Sequence, residues 1–289
     1  MNDIKRERKV PELLISEQRS QINERVMSKK ALVVILSILI LLIVGVLVWV
    51  LPPFYVKKII VSGTRELSEE EIINSMGIEM TDHLLSNIGG DFFQIVGLRY
   101  GNIEEELRES FPYIESVKIR FSLPSTVKVE VIERQKIGYI DLPDGYAVID
   151  KNGTVVELQT TDELPDVPMM LGLPINSVRL GEKIGMDNFD GFDLCIVVFA
   201  AVIDADKSNV ADKEFQLMKC VRSVRYVDNK TIFLTMVLPE TTRTISVKIG
   251  GLQNLKDDMN WLRHAVSIHA FDEMQGTMLD MTGTQYSLR

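Results

Sequence analysis

The chain of 289 residues has a globular composition, with 46% hydrophobic and 25% charged side chains, and its length suggests about two domains. Its net charge of −9 is unevenly distributed, because the first 30 residues carry a charge of +3 and the remainder therefore carries −12. An acidic remainder argues against nucleic acid as a partner, since phosphate binding depends on clustered Lys and Arg. Cys195 and Cys220 are too few for a disulfide framework. We expect two buried thiols, with a single bridge as the alternative outside the cytoplasm.

An uncharged apolar run extends over residues 31–51 and predicts a transmembrane helix. At 1.5 Å per residue it reaches about 30 Å, the thickness of the hydrocarbon core. The asymmetry of flanking charge is moderate and favours an inside amino terminus, with Arg25, Lys29 and Lys30 before the run and Lys57, Lys58 and Arg65 after it. A cleaved signal peptide is the alternative, but the leader is long and no small-x-small cleavage site follows. We therefore predict a cytoplasmic arm over residues 1–30, one membrane span over 31–51, and the bulk of the chain outside the cytoplasm.

The next stretch predicts a small α+β unit in the order strand, helix, helix, strand, strand. After a short strand at 56–61, Ser68 opens a helix with a capping-box pattern, and Asn102 opens a second helix. Two alternating strands follow at 117–121 and 127–131, joined by a hairpin turn. Two helices can cover one face of such a sheet while charged side chains of the strands face water.

This arrangement resembles a POTRA domain. The run from Tyr113 to Val117, through Leu123 to Val127, and on to Glu133 and Arg134, is similar to the type found in FtsQ/DivIB cell-division proteins. The resemblance implies a POTRA domain over residues 54–133, directly after the membrane anchor.

Residues 134–289 are predicted to form a second, mainly β domain. Strands within 139–156 are joined by the Asp-Lys-Asn-Gly turn at 150–153, and a helix is predicted over 188–205. Three further strands are predicted at 221–226, 231–238 and 243–249. An amphipathic helix then places an apolar stripe on one face, formed by Leu252, Leu255, Met259, Leu262 and Val266. A terminal strand at about 277–282 completes an α+β architecture.

The terminal strand also resembles the close of the β domain in the FtsQ/DivIB family, with Met281 and Thr282 where Leu and Arg are usual. The resemblance implies a non-enzymatic scaffold of the division machinery at the septum, which links ring assembly to wall synthesis by binding DivIC/FtsB-type and FtsL-type single-pass proteins. A strand at a sheet edge can accept a partner strand. We therefore predict partner binding, with Tyr286 as an aromatic anchor, at Leu279, Asp280, Met281, Thr282, Thr284 and Tyr286. The alternative is a frayed terminus with no binding role.

The sequence offers no recognisable catalytic set, and we predict no catalytic, metal-binding or cofactor-binding residue and no small-molecule substrate. His264 and His269 are five residues apart, which does not match the i, i+4 spacing of a chelating pair on a helix. The acidic clusters at 69–71 and 104–106 lie at helix starts, where carboxylates interact favourably with the helix dipole. Two other functions remain open: a POTRA-bearing transport component, and a membrane-tethered hydrolase.

Overall fold

A computed structural model describes residues 29–51, 54–160, 163–208, 214–283 and 285–289. The chain divides into two units, the second of which begins at Val56. Of the arm predicted over residues 1–30, residues 1–28 lie outside the described residues, as does Thr284 of the predicted binding site.

The first unit contains helix α1, Lys29–Val50, whose residues after Lys30 are uncharged. Its 22 residues span about 33 Å at 1.5 Å per residue. The hydroxyl of Ser37 donates to the carbonyl oxygen of Val33 at 2.8 Å, so this polar group is satisfied within the helix. In the described part of the chain, α1 is the one helix that is long and apolar enough to cross a membrane.

A three-stranded sheet with helices on one side opens the second unit. Its elements are β1 Lys58–Ser62, α2 Glu69–Ser75, α3 Phe92–Val96, α4 Gly101–Ser110, β2 Ile114–Ser122 and β3 Thr126–Glu133. Strand β3 lies in the middle, parallel to β1 and antiparallel to β2. The predicted capping box is present, since the Glu71 amide donates to Ser68 Oγ at 3.1 Å and the Ser68 amide to Glu71 Oε2 at 3.4 Å. Alternate strand residues such as Ile119 and Val129 are fully buried against Ile72 and Leu107 of the helices.

The rest of the second unit is built on a sheet of nine strands, namely β4 Lys136–Leu142, β5 Gly145–Asp150, β6 Val155–Gln159, β7 Met169–Leu171, β10 Val221–Asp228, β11 Thr231–Val237, β12 Thr244–Gly250, β13 Met278–Asp280 and β14 Ser287–Leu288. Their order in the sheet is β14-β13-β12-β11-β10-β7-β4-β5-β6. A separate two-stranded ribbon consists of β8 Ile175–Ser177 and β9 Gly185–Met186. The helices are α5 Asp190–Ser208, α6 Leu217–Cys220 and α7 Leu255–Ser267.

Helices α5 and α7 supply much of the core of the nine-stranded sheet. Phe192 and Phe199 of α5, with Met259 and Leu262 of α7, are buried in one cluster with the inward residues of β10–β13. Leu252 is the exception to the predicted stripe, since it precedes α7 and is 40% exposed. Both cysteines are free and buried, as expected from their apolar surroundings. The predicted fold class, one apolar helix followed by a POTRA-like unit and a β-rich region, is confirmed.

Arg134 connects the two sheets within the second unit. It directly follows β3, and its amide donates to the carbonyl oxygen of Tyr113 at 2.7 Å. Its guanidinium donates to the carbonyl oxygen of Pro112 at 3.1 Å and to Asp150 Oδ2, at the end of β5, at 2.8 Å. Asp150 is 1% exposed, and its other oxygen accepts the amides of residues 152 and 154. The three-stranded and nine-stranded sheets therefore share a buried, hydrogen-bonded ion pair.

Candidate partner-binding site

The strand predicted to form the sheet edge is the second strand from that edge. Strand β13 pairs in parallel with β12 on one side and antiparallel with β14 on the other. Leu279 and Met281, predicted to bind a partner, are only 2% and 3% exposed and contribute to the core. The expectation that this strand forms the edge is therefore wrong, because the chain reverses after it and returns as a short strand that covers it.

The reversal begins with a local turn around Asp280. One carboxylate oxygen of Asp280 accepts the amide of Thr282 at 3.1 Å and its hydroxyl at 2.7 Å. The hydroxyl and amide donors of Thr282 lower the pKa of the Asp280 carboxyl below its ordinary value, and Lys248 on the neighbouring strand contributes in the same direction. Asp280 and Thr282 are thus occupied in shaping the turn that delivers the chain to β14.

The new edge is formed by β14, the last strand in the sheet order. The Met278 amide donates to the Arg289 carbonyl at 3.0 Å, and the Arg289 amide donates to the Met278 carbonyl at 2.8 Å. In an antiparallel ladder, hydrogen-bonded pairs alternate with pairs whose amides and carbonyls point away from each other. The next pair, Leu279 with Leu288, is of the second kind. The N–H and C=O of Leu288 therefore point away from β13, toward the open side of the sheet.

Tyr286 fixes this edge to helix α7. Its hydroxyl donates to Asp258 Oδ1 at 2.5 Å, and its ring contacts the ring of Trp261 edge-on, with centroids 4.6 Å apart. The hydrogen bond to Asp258 is the main cause that raises the pKa of Tyr286 to about 12, and burial adds to it. Tyr286 is thus already engaged within the chain, where it holds the residue before β14 against the helix.

Comparison with known proteins finds a family model that matches the three-stranded sheet and its helices. The family model of the FtsQ-type POTRA domain matches residues 54–134. DivIB of Clostridium acetobutylicum is 28% identical over 138 residues, 48% of this chain and 51% of that protein. FtsQ of Corynebacterium glutamicum is 27% identical over 212 residues, 73% of this chain and 81% of that protein. This chain is similar to proteins named DivIB and FtsQ, and its residues 54–134 match the FtsQ-type POTRA domain.

The extent of the likeness differs from one relative to the next. The chain spans about half the length of the C. acetobutylicum DivIB that it matches. A solved structure of the major extracytoplasmic domain of DivIB from Geobacillus stearothermophilus covers 50% of this chain and 98% of its own, with 12% identity. The TM-score of this comparison is 0.28.

Two features of the candidate site leave little signal in the sequence. Ser287–Leu288 forms a separate strand, which is too short to leave a periodic pattern. Trp261 lies next to the edge, is 39% exposed, and contacts both Phe271 and Tyr286. The sequence signal for Trp261 is that this aromatic residue lies outside the apolar stripe of the amphipathic helix.

His83 and His269 make local side-chain contacts. His83 is buried and its Nδ1 accepts the amide of Leu85 at 3.1 Å, while His269 Nδ1 lies 3.2 Å from Asp272. Across the described ranges, no group of three or more His, Cys, Asp or Glu side chains is arranged to hold a metal ion. The arrangement around β14 offers backbone hydrogen-bonding groups and aromatic surface, which suit the binding of another chain.

Proposed function

We propose that the chain is a single-pass, non-enzymatic scaffold of the bacterial division machinery. The observation that carries this proposal is an FtsQ-type POTRA domain at residues 54–134, directly after an apolar helix long enough to span a membrane. Relatives named DivIB and FtsQ support the same assignment. The scaffold connects assembly of the division ring to septal wall synthesis through protein contacts.

The membrane topology follows from the flanking charges. Basic residues precede the apolar run, and residues 1–30 together carry a net charge of +3. This pattern favours a cytoplasmic amino terminus, and the acidic remainder then lies outside the cytoplasm. Partners that are themselves single-pass proteins, of the DivIC/FtsB and FtsL types, would meet this ectodomain near the membrane.

The partner site belongs at the open side of β14 in this proposal. A partner strand that pairs with Leu288 extends the nine-stranded sheet by one strand and gains backbone hydrogen bonds. Trp261 and Tyr286 provide aromatic surface beside that strand. Leu279, Asp280, Met281 and Thr282, in the preceding strand and turn, then support the edge.

Proline at position 288 tests the edge with little damage to the sheet. Leu288→Pro removes the one amide that points to the partner and leaves the amide bonded to β13 intact. Leu288→Ala is the matched control, because it loses the same side-chain packing but keeps the N–H. With the full chain in detergent, we expect L288P to reduce capture of the DivIC-type partner at least tenfold, and L288A to reduce it far less. Equal capture of the DivIC-type partner by both variants, with an unchanged melting temperature, would rule out the edge-strand site.

Localisation tests the wider role independently of the edge. A fluorescent fusion to the amino terminus is expected to form a band at mid-cell in dividing cells. An even signal around the envelope would instead favour a transport component and count against the division scaffold.

A further inference from the structure

The POTRA domain presents an apolar surface that its own core does not use. Phe92 and Phe93 of α3 are 73% and 81% exposed, and Val96 and Leu98 are also exposed. Most large apolar side chains on a soluble surface occur singly, whereas here they cluster within one turn of helix and the residues after it. We call these four residues the apolar turn.

The apolar turn is an ordered element. The Gln94 amide donates to Asp91 Oδ1 at 2.7 Å, and the Asp91 amide donates to Gln94 Oε1 at 2.7 Å, so a capping box opens α3. The Gln94 side chain also donates to Glu104 of α4 at 3.2 Å. The rings of Phe92 and Phe93 contact each other edge-on at 5.8 Å. The exposed rings are therefore held on a hydrogen-bonded frame.

Strand register places Arg99, the residue after the apolar turn, close to the end of the sheet where β1 begins. Arg99 forms an antiparallel bridge with Arg120 of β2, and the Tyr100 amide donates to the Ile119 carbonyl at 3.2 Å. Arg120 is two residues from Ser122, the last residue of β2. In the sheet, Ser122 is level with Thr126 of β3, which is level with Lys58, the first residue of β1.

The β2–β3 hairpin adds another exposed apolar side chain to this end. Leu123, in the turn between the two strands, is 63% exposed. Seven residues, 51–57, separate α1 from β1, and a chain of that length spans at most about 25 Å. The end of the sheet that carries the apolar turn and Leu123 is thus the end that the chain reaches first after α1.

Charge on the exposed face of the three-stranded sheet is mainly positive. Exposed cations occupy the end near the apolar turn, namely Lys57, Lys58, Arg120 and Lys128. Farther along the sheet, Glu130 of β3 is level with the exposed Lys118 of β2, and Glu133 ends β3. Of the acidic side chains next to α3, Asp91 caps the helix, and Glu104 is buried and paired with Arg99, whereas the four Lys and Arg side chains are exposed.

We propose that this end of the POTRA domain binds the surface of an anionic lipid bilayer, in the same membrane that holds α1. Exposed Phe, Val and Leu side chains flanked by Lys and Arg are the composition of elements that insert shallowly among lipid headgroups. The cations interact with anionic headgroups, and the rings and aliphatic side chains bury their area beside the acyl chains. The proposal rests on the membrane anchoring proposed above, and it makes the POTRA domain a second membrane contact.

Fluorescence quenching by spin-labelled lipid measures this contact in the full chain. Single Phe93→Cys and Ile132→Cys variants carry an environment-sensitive label and are reconstituted into bilayers of phosphatidylcholine and phosphatidylglycerol that contain doxyl-labelled lipid. Ile132 is the matched control, because it is 56% exposed but lies at the far end of β3. The native Cys195 and Cys220 are buried, so the label reports the introduced thiols.

We expect several-fold stronger quenching at position 93 than at position 132, and a several-fold decrease at 93 when phosphatidylglycerol is omitted. In the F93C background, F92S should also reduce the quenching, while unchanged near-ultraviolet circular dichroism confirms the fold. Equal quenching at the two positions, or none at 93 in a chain that floats with the bilayers, overturns the membrane contact and leaves the anchor intact. A label at 93 that responds only when a DivIC-type protein is added also overturns it and makes the apolar turn a protein contact. A chain that does not float with lipid overturns the anchoring itself.

Discussion

Replacing Arg134 by Met should lower the stability of the ectodomain by about 3 kcal/mol, because it breaks the ion pair between the two sheets. The guanidinium lies 2.8 Å from Asp150 Oδ2, and the exposed fractions of the two side chains are 16% and 2%. Met retains most of the apolar stem of Arg, so the change removes the charge and its hydrogen bonds with little loss of packing. Asp150 would then remain buried without its counter-ion.

The size of the expected loss of stability depends on the hydrogen bonds that Asp150 keeps in the variant. Removal of one partner from a buried ion pair costs about 3–5 kcal/mol. The amides of Asn152 and Thr154 each still donate to Asp150 Oδ1 at 2.8 Å, which places this site at the lower end of that range. For a unit of this size, about 1 kcal/mol shifts the melting temperature by roughly 2–4 °C, so the expected decrease is about 6–12 °C.

Thermal unfolding of the full chain in detergent, followed by circular dichroism, provides the measurement. Asp150→Asn and the double variant complete a double-mutant cycle, in which we expect a coupling of at least about 1 kcal/mol between the two positions. A loss below about 1 kcal/mol in R134M, or additive effects in the double variant, would refute the view that this pair couples the two sheets.

Three further outcomes are expected from the same chain. Tyr286→Phe should lower the free energy of unfolding by about 1.5–2 kcal/mol, because buried Asp258 loses a hydrogen bond. Since the pKa of Tyr286 is raised to about 12, this stabilisation should be complete below about pH 10 and decline as the pH rises to 12. Thermal melts of both proteins at alkaline pH measure it. Burial alone would raise the pKa of Glu133, but three backbone amides that donate to it lower that pKa overall, so stability should fall as the pH drops below about 4, and E133Q should lack this part of the loss in acid melts. Burial raises the pKa of Cys195 to about 12, so Ellman's reagent should react with neither Cys195 nor Cys220 until the chain is unfolded; rapid reaction of the native chain would contradict their burial.

Elements with long, periodic patterns were predictable from the sequence. The apolar run became α1, the stripe of alternating three- and four-residue spacing became α7, and the alternating residues of β11 and β12 lie where the pattern predicts. In these elements one face is buried along several turns or pairs, so burial leaves a readable period. The capping box at Ser68 was readable for a similar reason, since both of its partners lie within one helical turn.

The elements that were missed depend on contacts between distant parts of the chain. Strand β7 has three residues, yet it joins the two halves of the nine-stranded sheet by pairing in parallel with β4 and β10. Three residues carry too little pattern to identify a strand, and parallel pairing leaves no hairpin signal. The prediction of which strand forms the sheet edge was wrong for the same reason. The sequence near Leu279 predicts a strand, but only the return of the chain as β14 decides which residues form the edge.

The edge strand β14 is held in place mainly by contacts with helix α7. Strand β14 has two residues, and so short a pairing contributes few hydrogen bonds of its own. Its position depends on Tyr286, which joins it to α7 through Asp258 and Trp261. A short edge strand is a poor template for nonspecific aggregation, since it exposes few unpaired backbone groups. A partner strand that reaches both Leu288 and the adjoining aromatic surface gains contacts that a generic strand does not, so anchoring by α7 favours selective pairing at this edge.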